Sequence, residues 1–177
     1  AYTSLQTAIG SAVFGDSIWI AAGTYKAAFS DRSLSFNIKN GVSMFGGFAG
    51  TETDISQRNI SSNVTTLSGD IGTAGVASDN TYHILMATNI NFNTTIDGFR
   101  IMDGNASTGY PYGAGLKTRN SKITVRNCTF INNQTVAEGA AIYHDNTAMT
   151  VENCNFLYNS SSSNGPAISI LNGDIRI

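Results

Sequence analysis

Residues 113–133, GAGLKTRNSKITVRNCTFINN, and residues 139–159, GAAIYHDNTAMTVENCNFLYN, are two copies of one unit. Gly113 and Gly139, Asn120 and Asn146, Cys128 and Cys154, and Phe130 and Phe156 each lie 26 residues apart. A fixed period of this length restricts the chain to architectures in which one small unit stacks on the next. The unit runs on, since Gly165-Pro166-Ala167-Ile168 follows Gly139-Ala140-Ala141-Ile142 and Asn172 follows Asn146. Looser copies run backward from Val151 and Val125 through Ile96, Leu67, Phe45 and Ile20, in steps of 26, 29, 29, 22 and 25.

A period this short and this variable excludes helical repeats, which need two long 3.6-periodic segments per unit. ITV, CTF and AAIYH alternate apolar with polar residues, the period-2 sign of half-buried strands. Three such strands per unit, separated by Asn and Gly, predict an all-β parallel β-helix of about six coils, spaced by about 4.8 Å, the distance between paired strands. Asn120, Asn146 and Asn172 share one offset, Asn127 and Asn153 a second, Asn133 and Asn159 a third. Each offset is expected to be a corner, because Asn tolerates the left-handed backbone a sharp bend requires. Stacked Asn side chains can also hydrogen-bond from coil to coil. The expected inward columns are Val125 on Val151, Cys128 on Cys154, Phe130 on Phe156, and Leu116 on Ile142 on Ile168.

A stack of coils leaves an unpaired edge at each end. Thr3-Ser4-Leu5-Gln6 fits a capping box, with Thr3 as N-cap and Gln6 reaching back. A helix over residues 4–13 would place Leu5, Ala8, Ile9, Ala12 and Val13 on one face and serve as an N-terminal lid. Ile175 and Ile177 repeat the offsets of Met149 and Val151, so the last residues fall inside a strand. Residues 1–177 are therefore expected to be a single β-helix domain forming the N-terminal portion of a longer solenoid. Charged residues are 12% of the chain, against roughly 25% in ordinary soluble domains. The net charge of −2 offers no basic face for nucleic acid, and no apolar run is long enough to insert in a membrane as a helix.

Gly113-Ala114-Gly115-Leu116, Gly139-Ala140-Ala141-Ile142 and Gly165-Pro166-Ala167-Ile168 resemble the GGA[ILV] half of the bacterial polymorphic outer-membrane protein repeat. Phe130-Ile131-Asn132-Asn133 and Phe156-Leu157-Tyr158-Asn159 resemble its FxxN half; the second glycine of the motif is replaced in all three copies. The opening LQTAIGSAVFGDSIWIAAGTY resembles the cap and first coil of secreted proteins in the pectin-lyase-like superfamily. MFGGFAGTETDISQRN and TLSGD resemble the stretch that follows in bacterial surface proteins of this type. The resemblance implies a right-handed coil, a secreted or bacterial cell-surface location, and a role in adhesion or display. It also implies further C-terminal coils and an anchor or sorting domain in the full-length protein.

Enzymes with this fold act on polysaccharides through clustered acids on an exposed sheet. Here Asp97, Arg126 and Glu152 share one offset, but the column reads minus, plus, minus, which predicts an exposed charge ladder and not a catalytic cluster. Arg119 and Asp145 form a second such pair. His144 shares the offset of Thr118 and Ile170 and is expected at a corner. Cys128 and Cys154 form no zinc or CxxC pattern, and neighbouring parallel strands aim their sulfurs poorly for a disulfide, so two buried thiols are expected. No catalytic residue, metal ligand or cofactor is assigned. The loop MDGNASTGYPYGAG, residues 102–115, presents Tyr110 and Tyr112 around Pro111 and is the expected contact site for a surface glycan or protein. Two functions follow: a non-catalytic surface module, adhesin or stalk, or the N-terminal part of a polysaccharide lyase or glycoside hydrolase whose active site lies on coils beyond residue 177.

Overall fold

The computed structural model describes residues 1–177 and is a parallel β-solenoid of about six turns behind one short helix. One face stacks Ser17–Ala21, Ser43–Phe48, Thr94–Asp97, Ile123–Arg126, the end of Ile142–Glu152 and the end of Ile168–Arg176. A second stacks Gly23–Tyr25, Thr65–Ser68, Phe99–Met102, Thr129–Ile131 and Asn155–Leu157. The third arm of each coil is carried by Phe36–Asn37, Leu85–Thr88, Leu116–Arg119 and the beginnings of Ile142–Glu152 and Ile168–Arg176. Every pairing is parallel.

The register follows the 26-residue unit. Val125 is paired with Val151 and Ile96, Leu116 with Ile142, and Ile142 with Ile168. Phe130 and Phe156 stack with ring centroids 5.4 Å apart and planes 8° from parallel. The earlier coils depart from the expected spacing. Leu67 does not continue the column of Ile96; it lies on the second face, paired with Tyr25 and Ile101. Ile96 is paired instead with Met44, so one coil spans 52 residues and the expected steps of 22 and 29 divide a single turn. The strands that run into GFAGT (47–51) and GDIGT (69–73) have similar sequences but belong to different faces. Trp19, not Ile20, is the partner of Phe45, and the register shifts between Trp19 and Ala21.

Corners at two of the three Asn offsets are left-handed, at Asn120, Asn146 and Asn172 (φ 49°, 65° and 54°) and at Asn127 and Asn153 (φ 52° and 51°). Asn146 Nδ2 donates to Asn120 Oδ1 at 3.0 Å, and Asn120 Nδ2 to Asn89 Oδ1 at 3.1 Å, so this ladder reaches one coil further than expected. The third offset differs. The left-handed residues there are Asp103, Asn132 and Tyr158 (φ 65°, 53° and 55°), one position before Asn133 and Asn159. Asn133 is instead fully buried, donating through Nδ2 to Asn159 Oδ1 and to Ile101 O, both at 3.0 Å, while its Oδ1 accepts from Gly104 N at 3.1 Å. These side chains satisfy main-chain groups that a bend would leave unpaired inside the core.

The lid is shorter than expected. Helix α1 spans Leu5–Ser11, and its N-cap is Ser4, whose hydroxyl accepts from Thr7 N, in place of Thr3. Gln6 does not close a capping box; its Nε2 donates to Ser35 O at 3.1 Å and ties the helix to the first coil. Lys39 Nζ donates to Gly10 O at 3.0 Å, placing a cation at the carbonyl end of the helix dipole. Leu5, Ala8, Ile9 and Ala12 are buried, whereas Val13 lies past the last turn and is exposed.

Candidate functional site

Asp97 is the one carboxylate of the solenoid that joins two ion pairs. Arg58 Nη2 and Arg126 Nε each donate to Asp97 Oδ2 at 2.7 Å, and Asn127 Nδ2 donates to Oδ1 at 2.9 Å. The Asp97 side chain has 0% exposure, so the expected exposed ladder is corrected to a buried hub. Glu152 stays in register with Arg126 but is exposed. Arg58 was the missing partner. Its loop folds back through a single 3₁₀ turn, Ile55–Gln57, closed by a capping box between Asp54 and Gln57. Ile60 then packs against Gly47 and Gly98, and Gly46 faces Gly98 so closely that an added Cβ would meet the Gly98 carbonyl at 2.5 Å. Only glycine lets the two coils approach this way. Burial pushes the Asp97 carboxyl up, but hydrogen bonds from Arg58, Asn127 and Arg126, with the Arg58 charge, together hold it below the ordinary value.

With no exposed surface and three donors on its two oxygens, two of them arginines, the Asp97 carboxylate is closed off from a substrate proton or a cation. No group of three or more His, Cys, Asp or Glu side chains converges elsewhere in a geometry that could hold a metal ion. His144 is not at a corner: it sits within Ile142–Glu152, fully buried, with Nδ1 2.6 Å from Thr118 Oγ1 and Nε2 3.2 Å from Thr147 O. Thr147 O can only accept, so Nε2 carries the proton and Nδ1 accepts from the Thr118 hydroxyl. Asp145 points the other way, 3.6 Å from Arg119. The adjacent His and Asp therefore share no proton. Cys128 and Cys154 are free thiols; Cys128 donates to Arg126 O at 3.2 Å, and burial pushes its pKa well up.

The tyrosines of the 102–115 loop are held against the flank of the solenoid. Tyr110 stacks on Tyr82 with centroids 4.5 Å apart and planes 11° from parallel. Arg32 covers the Tyr82 ring at 4.2 Å while donating to Asn80 O and Asn105 O at 2.6 and 3.2 Å. Tyr112 packs on Tyr143 at 4.6 Å, and the Pro111 carbonyl accepts from the Thr135 hydroxyl. His83 lies buried beneath, its Nδ1 3.1 Å from Gly113 O. Burial, and the neighbouring Lys117 charge, push the His83 pKa down to about 4. Tyr110 keeps 45% of its surface exposed, so one edge of this strip stays open to solvent. Arg32, Tyr82 and Tyr143 were not legible as members of the strip, because they come from different coils at offsets that the repeat does not share.

No family model, curated protein or solved structure matches the chain, so the likeness to polymorphic outer-membrane protein repeats rests on its motifs alone, while the parallel solenoid rests on the structure.

Proposed function

We propose that residues 1–177 form a non-catalytic, extracellular or cell-surface module, an adhesin segment or stalk whose use is its rigidity and its lateral surface. The observation that carries this reading is the state of Asp97. Asp97, which the repeat aligns with Arg126 of the next coil, is buried and spent on two arginines and an asparagine, which knit the long second coil to the third and fourth. A glycan-processing β-solenoid needs several exposed acids side by side, whereas this column leaves Glu152 alone exposed, next to Arg126. The inward columns, the Asn ladders and the low overall charge all serve stacking, the property a stalk requires. The strip of Tyr110 and Tyr112 is the proposed contact surface, suited to a glycan ring or a protein through the open edge of Tyr110.

Incubation of the protein with uronic-acid and neutral glycans, with and without calcium, tests the reading. It predicts no release of unsaturated or reducing ends. Release that disappears in a folded Asp97→Asn variant would overturn it. For the contact surface, glycan-array binding should be lost in Tyr110→Ala/Tyr112→Ala. That variant should also lose about 0.5–1.5 kcal/mol of stability per broken ring pair, since both rings are stacked.

A further inference from the structure

The capped end of the solenoid carries a cleft of about 470 Å³ between α1 and the first strand, Ser17–Ala21, here β1. That is the size of a small-ligand site, about 300–1,000 Å³. Both inward residues of the strand, Ile18 and Ile20, and its outward residues Ser17 and Trp19 line it. A cleft bounded by both faces of a strand runs along the strand's edge. β1 pairs on one side only, with Ser43–Phe48. Ser43 N donates to Asp16 O at 3.1 Å, so that carbonyl points toward the neighbouring strand. The peptide bond between Asp16 and Ser17 is trans, which turns the Ser17 N–H the opposite way, into the cleft. The strand alternation does the same for the main chain of Trp19.

The walls add two further features. Leu5 and Ala8 of α1 and the ring of Tyr25 make the cleft apolar, and Trp19 is fixed by stacking on Phe48 at 4.9 Å and 8°. The charged side chains that line it are Asp16 and Glu52, and no Lys or Arg is among the lining residues. Both carboxylates are held in place: Asp16 Oδ2 accepts from Val13 N at 2.8 Å, and Glu52 accepts from the main-chain N–H groups of Ala49, Gly50 and Thr51.

We propose that β1 is a strand-addition site for an extended peptide segment of a partner protein, apolar at alternate positions and carrying Lys or Arg between them. The unpaired main chain of Ser17 and Trp19 supplies the pairing, the apolar walls take alternate side chains, and Asp16 and Glu52 select a basic residue. A glycan would use Trp19 alone and leave the strand edge unpaired. Another solenoid copy would have to bring a whole coil onto this end, where Leu5 and Ile9 of α1 already cover the core beside Ile20, while a single strand needs only the cleft left along β1. This site is separate from the tyrosine strip and does not depend on it.

The test is isothermal titration with the blocked heptapeptide Lys-Val-Thr-Val-Lys-Val-Thr. The expected result is 1:1 binding. Ser17→Pro removes an N–H that makes no ladder bond, a change edge strands tolerate. It should weaken binding about tenfold with the far-UV spectrum unchanged, as the loss of one main-chain hydrogen bond does. Asp16→Asn and Glu52→Gln should each weaken it about threefold, an effect that disappears in high salt. If Ser17→Pro does not fold, the same peptide N-methylated at alternate residues replaces it, and one of the two methylation phases must fail to bind. Absence of peptide binding, equal binding by Ser17→Pro or by both methylated peptides, competition by maltohexaose, or self-association of the protein in place of peptide binding would each overturn the proposal.

Discussion

At the residue scale, Asp97 and His83 mark the two ways this fold handles ionisable groups in its interior. Asp97 stays charged because three donors meet it. Asp97→Asn removes the charge and leaves Arg58, itself only 14% exposed, without a counter-ion. Breaking a buried pair in this way costs about 3–5 kcal/mol, read as a lower urea midpoint with an unchanged slope. His83 is held neutral instead. Its folded pKa of about 4 lies below the ordinary 6.5, so the unfolded chain takes up the proton first as pH falls. Its contribution is therefore present above pH ~6.5 and is lost on going down to pH ~4, by roughly 3 kcal/mol in total. His144, also pushed down by burial, adds to the loss with the same sign. Asp97, whose pKa is lowered, gives up its share only at still lower pH, below the ordinary carboxylate range. Chemical denaturation at pH 7.5, 5.5 and 4.5 should show falling stability, and His83→Asn should flatten part of that slope. A stability that is flat across this window would contradict the burial assigned to both histidines.

At the element scale, each corner separates a backbone requirement from a side-chain requirement. Asn132 supplies the left-handed φ of 53° and its neighbour Asn133 supplies the buried amide. Asn132→Gly should therefore be close to neutral. Asn133→Ala should cost about 1–3 kcal/mol by orphaning the Ile101 carbonyl and the Gly104 N–H. Thermal melts of the two variants decide it, and the opposite ranking would restore the corner role first read from the sequence. The repeat made Asn133 and Asn159 visible but not their purpose, because left-handed corners and buried amide ladders select the same residue. Where a column is made of apolar residues, as in Val125 on Val151 or Phe130 on Phe156, the side chain and its role coincide, and the register could be read directly. Arg58 could not be placed at all. It lies in a loop outside the period, and its reach to Asp97 depends on how the 49–63 segment folds back.

At the scale of the whole molecule, the solenoid behaves as a row of coils, each supported by its two neighbours. The column Leu116, Ile142, Ile168 runs from full burial in the first two to partial exposure in the last. Measured on residues 1–177, Leu116→Ala should cost about 2–5 kcal/mol, and Ile168→Ala clearly less, because Ile168 is only half-buried there. Hydrogen exchange should report the same gradient, with protection highest near Ile123–Arg126 and lowest along Ile168–Arg176. The path of the coils turns on the 52-residue turn that pairs Ile96 with Met44 and sends Leu67 to another face. Interstrand NOEs in a uniformly labelled sample test it most directly. Backbone cross-peaks linking Ile96 to Met44 and to Val125, together with Leu67 to Ile101, are the predicted result. Cross-peaks linking Ile96 to Leu67 in a parallel ladder would contradict it.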